Sequence, residues 1–498
     1  MRMGAPEGPG YWQGGGALLE KRSGIKQPPD QASPPKRCLV VRACADGKAQ
    51  GRVANSMTNS VKSHSANRPE FSELLRVFAR IGFLSFGGPA GQIALMHREL
   101  VDGREWVSEE QFLHALNFCH LLPGPEAQQL ATWIGWKLHG MRGGLAAGLL
   151  FVLPGAFVIL GLSVLYAYAA HLGWFAALFL GIKSAVLAVV AQALLRIAGR
   201  ALNTGVKKGL ALAAFIALFF FDLPFPLVVL GAGALGMGIA AVRPDLLAIR
   251  ENGEVAPAAP RPWKQSIGAV CLWSVIWALP MAAVLVTLGT GHVLWQIGAF
   301  FSQLAVVTFG GAYAVLAYMA QQTVQGYGWL SAGEMADGLG LAETTPGPLI
   351  MVTQYVGFLA AFRAPAPFTP LVAGMIGAAL TTWVTFAPCF LWIFAFAPWI
   401  ERLENARRIR GGLAALTAAV VGVIANLSLW FLIHVLFSRV GDARIGPLRL
   451  YLPDWGSFDW RAGLLAALSA ILIFRLKLNV IKVLAIAALG GLLLARLG

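Results

Sequence analysis

Long apolar segments, separated by short stretches of glycine, proline and charged residues, follow one another along the chain from about Pro69 onward. Several of them are long enough to cross a hydrocarbon core of roughly 30 Å. The predicted spans lie at 71–98, 111–137, 143–170, 174–197, 208–222, 224–242, 267–289, 294–322, 334–362, 369–398, 411–438, 460–475 and 478–496. The fifth, sixth and last two are short and would also suit a hairpin or half-spans. The pattern therefore predicts an all-α polytopic membrane protein with about thirteen transmembrane helices.

The composition agrees with a lipid environment. Hydrophobic residues make up 57% of the chain and charged residues only 13%, whereas about 25% is usual for soluble domains. The net charge of +15 does not indicate a nucleic-acid partner, because the basic residues fall mainly between apolar segments and orient the chain in the bilayer. The five cysteines show no metal-ligand spacing. We expect neither a metal site nor a cofactor.

Residues 1–68 differ from the rest of the chain, because they are polar, basic and rich in glycine, proline and serine. Such a stretch cannot bury enough apolar surface to fold alone, and it lacks the apolar core of a secretory signal. It is predicted to be a disordered tail. An over-extended start site is the alternative, since Met57 stands just before the folded part.

Two motifs recur at an offset of 223 residues: Phe86-Gly-Gly as Phe309-Gly-Gly, and Pro123-Gly-Pro as Pro346-Gly-Pro. Without a gap, thirteen of the forty positions from Phe86 to Pro125 are identical at this offset, against roughly one in fifteen expected by chance. The chain therefore contains two homologous repeats. The predicted division is a first repeat at 69–242, a connecting loop and linking helix at 243–293, and a second repeat at 294–498.

Seven predicted spans separate the starts of the two repeats, and an odd number inserts the second repeat in the opposite orientation. Lysines and arginines cluster in alternate loops, which places the amino terminus in the cytoplasm and the carboxyl terminus in the periplasm. Two loops fit poorly. The predicted inside loop at 323–333 has no lysine or arginine, and the predicted outside loop at 439–461 has four arginines. Inverted repeats are a common construction of secondary transporters.

Each repeat opens with a helix that runs into a glycine pair preceded by a hydroxyl side chain. Paired glycines destabilise a helix by about 1 kcal/mol each relative to alanine, and the freed N–H groups can bind an anion. Close helix packing through small residues is the alternative. The predicted substrate-binding residues here are Ser85, Gly87 and Gly88 in the first repeat and Thr308, Gly310 and Gly311 in the second.

The Pro-Gly-Pro motif lies inside an otherwise apolar segment in both repeats, and two prolines around a glycine can hardly belong to a continuous helix. At membrane depth such backbone is tolerated only where it is buried in protein or lines a cavity. Of the sequence features, the pair of Pro-Gly-Pro motifs best indicates the position of a translocation site. The predicted substrate-binding residues around it are Pro123, Gly124, Pro125, Thr344, Thr345, Pro346, Gly347 and Pro348.

Charged side chains within spans are costly and indicate function. Arg80 is predicted to bind an oxyanion through its planar fork of donors. The predicted coupling or gating residues are His120, Glu126, Lys183 and Glu343. Lys183, like Arg80, could also neutralise a bound oxyanion. Two alternatives stay open: Lys183 snorkels to the interface or pairs with a carboxylate, or the acids and the histidine simply pair with Arg80 or Lys183.

A tryptophan and a helix-capping serine begin the second segment of each repeat. Ser108 with Gln111, and Ser331 with Glu334, fit the spacing of a capping box. These residues are predicted to be structural.

Together these motifs resemble the two-domain, long-chain members of the chromate ion transporter family. The motifs are Phe86-Gly-Gly-Pro, Trp106-Val-Ser-Glu-Glu-Gln-Phe, Leu122-Pro-Gly-Pro-Glu, Phe151-Val-Leu-Pro-Gly, Thr308-Phe-Gly-Gly-Ala-Tyr and Glu343-Thr-Thr-Pro-Gly-Pro. The resemblance covers nearly everything from Phe71 to Gly498. It implies export of chromate across the bacterial inner membrane, with chromate resistance, driven by the membrane potential or a proton gradient. Sulfate is the expected competing oxyanion.

Other classes lack their sequence signatures. A chromate reductase or an ATP-driven pump would need a dinucleotide, metal or phosphate-loop motif, and none is found. The chain is therefore not expected to be an enzyme. An importer or exporter of another small anion, and an anion channel, stay open, as does association of the chain with copies of itself.

Overall fold

The computed structural model describes residues 69–86, 88–249, 263–307, 309, 312–400 and 406–496. The predicted tail at 1–68 and part of the connecting loop lie outside this range. Four predicted substrate-binding residues also lie outside the described residues: Gly87, Thr308, Gly310 and Gly311.

The described part of the chain is almost entirely helical, with sixteen α-helices and one β-hairpin. The helices are α1 (Phe71–Leu84), α2 (Gly88–His97), α3 (Glu109–Leu121), α4 (Glu126–Ala169), α5 (Gly173–Ala201), α6 (Gly205–Phe219), α7 (Phe225–Val242), α8 (Trp263–Leu288), α9 (Val293–Val307), α10 (Ala312–Gln321), α11 (Ala332–Thr344), α12 (Val352–Arg363), α13 (Pro370–Phe396), α14 (Arg407–Leu436), α15 (Trp460–Phe474) and α16 (Val480–Ala495).

Six of these helices are long and apolar enough to cross a membrane: α4, α5, α7, α8, α13 and α14. Four shorter apolar segments accompany them, at Val293–Val307, Leu349–Arg363, Trp460–Phe474 and Val480–Ala495. The chain is therefore a multi-pass helical membrane protein, as the apolar pattern predicted.

Four of the predicted spans are each two shorter helices rather than one continuous helix. The segment predicted at 71–98 contains α1 and α2, and the segment at 111–137 contains α3 and the start of α4. The corresponding segments of the second half, 294–322 and 334–362, contain α9 with α10 and α11 with α12. Among the described residues, Ser85 and Phe86 stand between α1 and α2, and a Pro-Gly-Pro motif, which a continuous helix can hardly contain, separates the two helices of the segments at 111–137 and 334–362.

Helix α4 changes direction near its first third. His139 and Gly140 have non-helical backbone angles, and the φ of Gly140 is +62°. A positive φ is readily adopted only by glycine. The helix therefore consists of a short segment, 126–138, and a long segment, 141–169.

Both predicted serines are confirmed as helix N-caps, and the predicted capping box is confirmed at Ser331. The Ser108 hydroxyl accepts a hydrogen bond from the Gln111 N–H at 3.2 Å, and the Ser331 hydroxyl accepts one from the Glu334 N–H at 3.2 Å. Glu334 also binds back to the Ser331 N–H at 2.8 Å, which completes a capping box. These contacts start α3 and α11 at corresponding positions.

The loop after α14 contains a β-hairpin that the apolar pattern did not predict. Strands β1 (Val440–Ile445) and β2 (Leu448–Pro453) pair antiparallel, with Ile445 opposite Leu448. Gly446, with a φ of +60°, lies in the turn between them. A twelve-residue hairpin carries too little apolar sequence to stand out beside membrane helices.

Arg449 anchors this hairpin to the helices. Its backbone N–H donates to the Phe220 carbonyl at 2.7 Å, and its side chain lies 3.3 Å from both Asp222 and Asp442. The guanidinium also covers the Tyr451 ring, 4.8 Å from its centroid. The hairpin is thereby fixed to the turn between α6 and α7.

Candidate functional site

The helix breaks of the two halves touch each other. The backbone N–H of Gly347 donates to the Ser85 carbonyl at 2.9 Å, and the side-chain amide of Gln92 donates to the Gly347 carbonyl at 2.5 Å. Ser85 ends α1 and is fully buried, with its hydroxyl donating to the Ile81 carbonyl at 2.7 Å. The first-half Gly-Gly region and the second-half Pro-Gly-Pro therefore form one buried junction.

The Pro-Gly-Pro glycines adopt backbone conformations that side chains disfavour. The φ angles are +118° at Gly124 and +91° at Gly347. This explains why a glycine stands between the two prolines in both halves.

Each Pro-Gly-Pro also packs against a helix of the opposite half. A methyl group at Gly155, in α4, would lie 2.4 Å from the Pro346 carbonyl oxygen. A methyl group at Gly124 would lie 2.9 Å from the sulfur of Cys389, in α13. Gly155 and Cys389 each follow a proline inside their helix, so like contacts occur in both halves.

A layer of buried amide and hydroxyl groups surrounds the breaks. The side chains of Gln92, Gln128, Gln129, Thr132 and Gln354 are all at most 3% exposed. Such groups are costly in an apolar interior unless they are hydrogen-bonded. Sequence reasoning missed this layer, although four glutamines within apolar helices are a readable signal.

The glutamine amides hold the broken backbone in place. Gln129 donates to the Pro123 carbonyl at 2.7 Å, and Gln354 donates to the Ala156 carbonyl at 2.8 Å. The Oε1 atoms of Gln92, Gln128 and Gln129 are buried without a hydrogen-bond partner among the described residues. Because an amide can present N–H or carbonyl by rotation, this layer can bind either donors or acceptors.

His120 and Glu126 come together across the first Pro-Gly-Pro. Their closest atoms, Nδ1 and Oε1, are 3.2 Å apart, with the Glu126 side chain 11% exposed and that of His120 48% exposed. This contact is with each other and not with Arg80 or Lys183. The acid lies at the first residue of α4.

The second Pro-Gly-Pro has different neighbours. Glu343 is buried at the end of α11, while the hydroxyls of Thr344 and Thr345 donate to carbonyls of the same helix, those of Leu341 and Ala342. Their oxygen lone pairs can still accept a hydrogen bond. The ionisable side chain beside the second Pro-Gly-Pro, Glu343, is therefore buried, whereas His120 beside the first is partly exposed.

Arg80 is not directed at the junction. Its Nη2 lies 3.9 Å from Glu99, which follows α2, and its side chain is 60% exposed. Glu99 is also bound by Arg104 at 2.6 Å. Arg80 lies more than one helical turn before Ser85 along α1. The Arg80 charge is therefore held toward the end of α1 that is nearer Pro69.

Lys183 lies on α5, half-buried, within electrostatic range of an acid that sequence reasoning did not select. This acid is Asp337 on α11, which is 7% exposed and accepts a hydrogen bond from the Tyr166 hydroxyl at 2.8 Å. It was missed because it lies one turn after the capping residue Glu334, where an acid near a helix start does not stand out. The structure thus brings Lys183 to the second half.

The comparison with protein families shows the family to which the chain belongs. The family model described as chromate transporter matches the chain twice, over residues 72–237 and 295–492. The chain belongs to the chromate transporter family. Both matched segments contain a Gly-Gly region and a Pro-Gly-Pro, so the junction is built from parts that the family model covers.

Curated relatives agree with the family model. A chromate transport protein of Pseudomonas aeruginosa is 30% identical over 84% of this chain and 92% of its own length. A chromate transport protein of Cupriavidus metallidurans is 26% identical over 73% of this chain and 83% of its own. A probable chromate transport protein of Synechococcus elongatus is 28% identical, over 71% and 82%. No solved structure is significantly similar to this chromate transporter family member.

Proposed function

We propose that the chain is a secondary active transporter that exports chromate, or a similar oxyanion, from the bacterial cytoplasm and so confers chromate resistance. The observation that carries this proposal is the buried junction of helix breaks, where Ser85 meets Gly347 at 2.9 Å. At membrane depth such broken backbone is tolerated only where it is buried in protein or lines a cavity, and secondary transporters bind their ions at helix breaks of this kind. The named relatives supply chromate as the substrate to test first.

We also propose that the two halves are inverted repeats, each beginning with helix pairs that enter the membrane and return. Arg80, on α1, lies 3.9 Å from Glu99, which follows α2. If α2 continued across the bilayer, Glu99 would lie beyond the break by about 16 Å, at 1.5 Å per residue. The contact therefore favours a re-entrant pair. His139, where α4 turns, contacts the Pro69 carbonyl at 2.8 Å, which supports the same for α3 and the start of α4.

The second half has matching contacts. The Trp329 ring, in the loop before α11, lies 6.4 Å from the Phe301 ring on α9, and the Arg363 guanidinium at the end of α12 donates to the Trp329 carbonyl at 2.6 Å. His292 before α9 contacts the Ala366 carbonyl after α12 at 2.7 Å. Both helix pairs of this half thus return to the side from which they enter.

Contacts between helix ends support opposite orientations for the halves. The end of α4 meets the first half of α11 through Tyr166 and Asp337, whereas Arg407, the first residue of α14, donates to the Ala240 carbonyl near the end of α7. We take the 15-residue helix α6 as a crossing together with the long segment of α4 and with α5, α7 and α8, which gives five crossings between the starts of the halves. Five is odd, as was the predicted seven, so the halves enter from opposite sides.

This arrangement changes the side that the sequence predicted for the loop at 323–333. The loop at 102–110 joins the cytoplasmic side with Lys137 and Arg142, and the loop at 323–333 joins the periplasmic side. The missing lysines and arginines of 323–333 then agree with the positive-inside rule.

The arginines of the other ill-fitting loop, 439–461, are paired with acids. The pairs are Arg439 with Asp454 at 3.7 Å, Arg449 with Asp442 at 3.3 Å and Arg461 with Asp459 at 3.4 Å. Their net charge is small, which suits a periplasmic location. The amino terminus is then cytoplasmic and the carboxyl terminus periplasmic.

The second-half break is the better anion site of the two. Both Pro-Gly-Pro motifs are followed by a helical segment, and a helix N-terminus favours negative charge. In the first half that position is occupied by the Glu126 carboxylate, which already supplies the charge. In the second half the apolar Leu349 stands there, so no carboxylate supplies negative charge at this helix N-terminus, which favours an oxyanion.

The membrane potential favours export of an oxyanion. Each elementary charge that crosses the membrane gains about 2.3 kcal/mol per 100 mV, and a dianion leaving a negative interior gains twice that amount. A proton gradient is the second energy source to test, since ionisable groups lie beside both breaks.

The proposal is tested by uptake of labelled chromate and sulfate into inside-out vesicles, with the membrane potential and the pH gradient imposed separately. Saturable chromate uptake, competed by sulfate, is the expected result, with control vesicles lacking the chain showing none. Uptake of another anion but not chromate would replace the substrate. Flux that follows the electrochemical gradient without saturating would indicate an anion channel instead.

A further inference from the structure

Asp337 is a buried acid that the junction of helix breaks does not use. Its Oδ2 accepts a hydrogen bond from the Tyr166 hydroxyl at 2.8 Å. Its Oδ1 has no hydrogen-bond partner among the described residues, and the side chain is 7% exposed. An unpartnered carboxylate oxygen in an apolar interior is costly, and a bound proton removes that cost.

Charged and titratable groups approach Asp337 from three neighbouring helices. Tyr166 on α4 and Lys183 on α5 lie on one side, and Tyr355 on α12 lies on the other, with its ring 5.3 Å from that of Tyr166. On its own helix the nearest acid is Glu334, one turn earlier.

Glu334 is already neutralised. Arg363 binds its two oxygens in a bidentate ion pair, and Ser331 donates to it from backbone and hydroxyl. Asp337 has no such arginine among the described residues. Lys183 is therefore the cation that is available to balance its charge.

We propose that Asp337 takes up and releases a proton during the transport cycle, with Lys183 as the cation that it neutralises. The inference rests on the proposed oxyanion transport. With Asp337 ionised, the pair carries no net charge. When Asp337 binds a proton, the positive charge of Lys183 is uncompensated, and in a low-dielectric setting it attracts an oxyanion strongly.

The proton site belongs to one half only. At the repeat offset of 223 residues, Asp337 corresponds to His114 on α3, whose side chain is 57% exposed and lies 3.9 Å from Glu110. The halves therefore differ in charge at corresponding positions, as they do at Glu126 and Leu349. Asp337 belongs to the second half, whose Pro-Gly-Pro is the proposed anion site.

Asp337 is well placed to act on that break. It lies on α11, the helix that ends at Thr344, two residues before Pro346. Helix α11 is packed closely against α5, because a methyl group at Gly340 would lie 2.2 Å from Ile182. A change of charge between Asp337 and Lys183 thus acts directly on the contact between these two helices.

The first test measures the pH dependence of oxyanion uptake by the full chain in vesicles, at a fixed membrane potential. The Asp337→Asn variant keeps the shape of the side chain without the titration. We expect the parent to show a several-fold change in uptake over roughly two pH units and the variant to show about none beyond the ionisation of chromate itself. The matched control, Asp245→Asn at an exposed turn, keeps the parental profile. A parental profile in Asp337→Asn would overturn the inference.

The second test does not depend on transport. Infrared difference spectra of the purified full chain, recorded while the pH is lowered, should show the carbonyl stretch of a protonated buried carboxyl group. Asp337→Asn should remove this band and Asp337→Glu should restore it at a shifted position. A band unchanged in Asp337→Asn, or absent from the parent, would refute the proton site. If the parent moves no oxyanion but the band is present, the proposed function fails while Asp337 remains a proton site.

Discussion

The carbonyl oxygen of Pro346 lies so close to Gly155 that a methyl group there would approach it to 2.4 Å. Gly155 belongs to the long segment of α4 in the first half, and Pro346 to the break of the second half. The two halves therefore meet backbone to backbone at this point, with no side chain between them. Such a contact transmits a shift of one half directly to the other.

Replacing Gly155 with alanine should impair transport. The added methyl group meets backbone, which cannot move aside as a flexible side chain can, and overpacking typically costs about 1–3 kcal/mol. We expect roughly a tenfold loss of oxyanion uptake at normal membrane abundance. Gly161→Ala on the same helix, where nothing lies within 4 Å, is the control and should behave as the parent. Equal uptake by both variants would show that the contact is not needed.

Replacing Gln92 with leucine should destabilise the junction. The Gly347 carbonyl loses its side-chain donor while the site stays buried, and an unsatisfied buried acceptor costs about 1–3 kcal/mol. Thermal unfolding of the purified protein should therefore begin at a lower temperature. The exposed change Gln265→Leu should leave the unfolding temperature unchanged. A Gln92→Leu protein as stable as the parent would mean that the amide contributes no net stabilisation.

Replacing Arg449 with methionine should release the β-hairpin. The side chain is 12% exposed and lies 3.3 Å from Asp222 and Asp442. We expect a loss of about 2–3 kcal/mol, less than for a fully buried pair because both acids are partly exposed. Limited proteolysis should then cut within 440–453. Arg444→Met, with its side chain 68% exposed and 3.9 Å from Asp222, should resist cleavage, and equal cleavage of the two would contradict the anchoring role.

Single cysteines should report the orientation of the halves. The parent chain has five cysteines of its own, so its labelling by a membrane-impermeant thiol reagent is subtracted as background. Above this background, Glu110→Cys and Asp245→Cys should react from the cytoplasmic side. Gly173→Cys and Tyr327→Cys should react from the periplasmic side. Labelling of Glu110→Cys and Tyr327→Cys from the same side would defeat the inverted arrangement.

The membrane class, the helix breaks and the capping serines followed from sequence, because each depends on local chemistry. Glycine pairs and Pro-Gly-Pro interrupt a helix wherever they stand. The direction of the chain after each break did not follow. An apolar stretch such as 71–98 has the same hydropathy whether it crosses the bilayer or turns back, and only the distant contact of Arg80 with Glu99 separates the two.

The partners of the polar interior were also beyond the sequence pattern. Glutamines within apolar helices are a readable signal, but the sequence does not show which backbone groups Gln92 and Gln354 meet, and Asp337 lies one turn after the capping residue Glu334 at a helix start. Their importance depends on which backbone groups lack partners. That information arises only from tertiary packing.

The imidazoles of His139 and His292 each join the two ends of the short-helix region of their half. One joins the turn of α4 to the carbonyl of Pro69, and the other joins the residue before α9 to the carbonyl of Ala366. In each half, a hydrogen bond thus joins the residue before the first pair of short helices to the residue after the second pair. The four short helices of one half are therefore expected to move together as a rigid body. Relative motion of the two halves then takes place where Gly155 and Gly124 touch the opposite half.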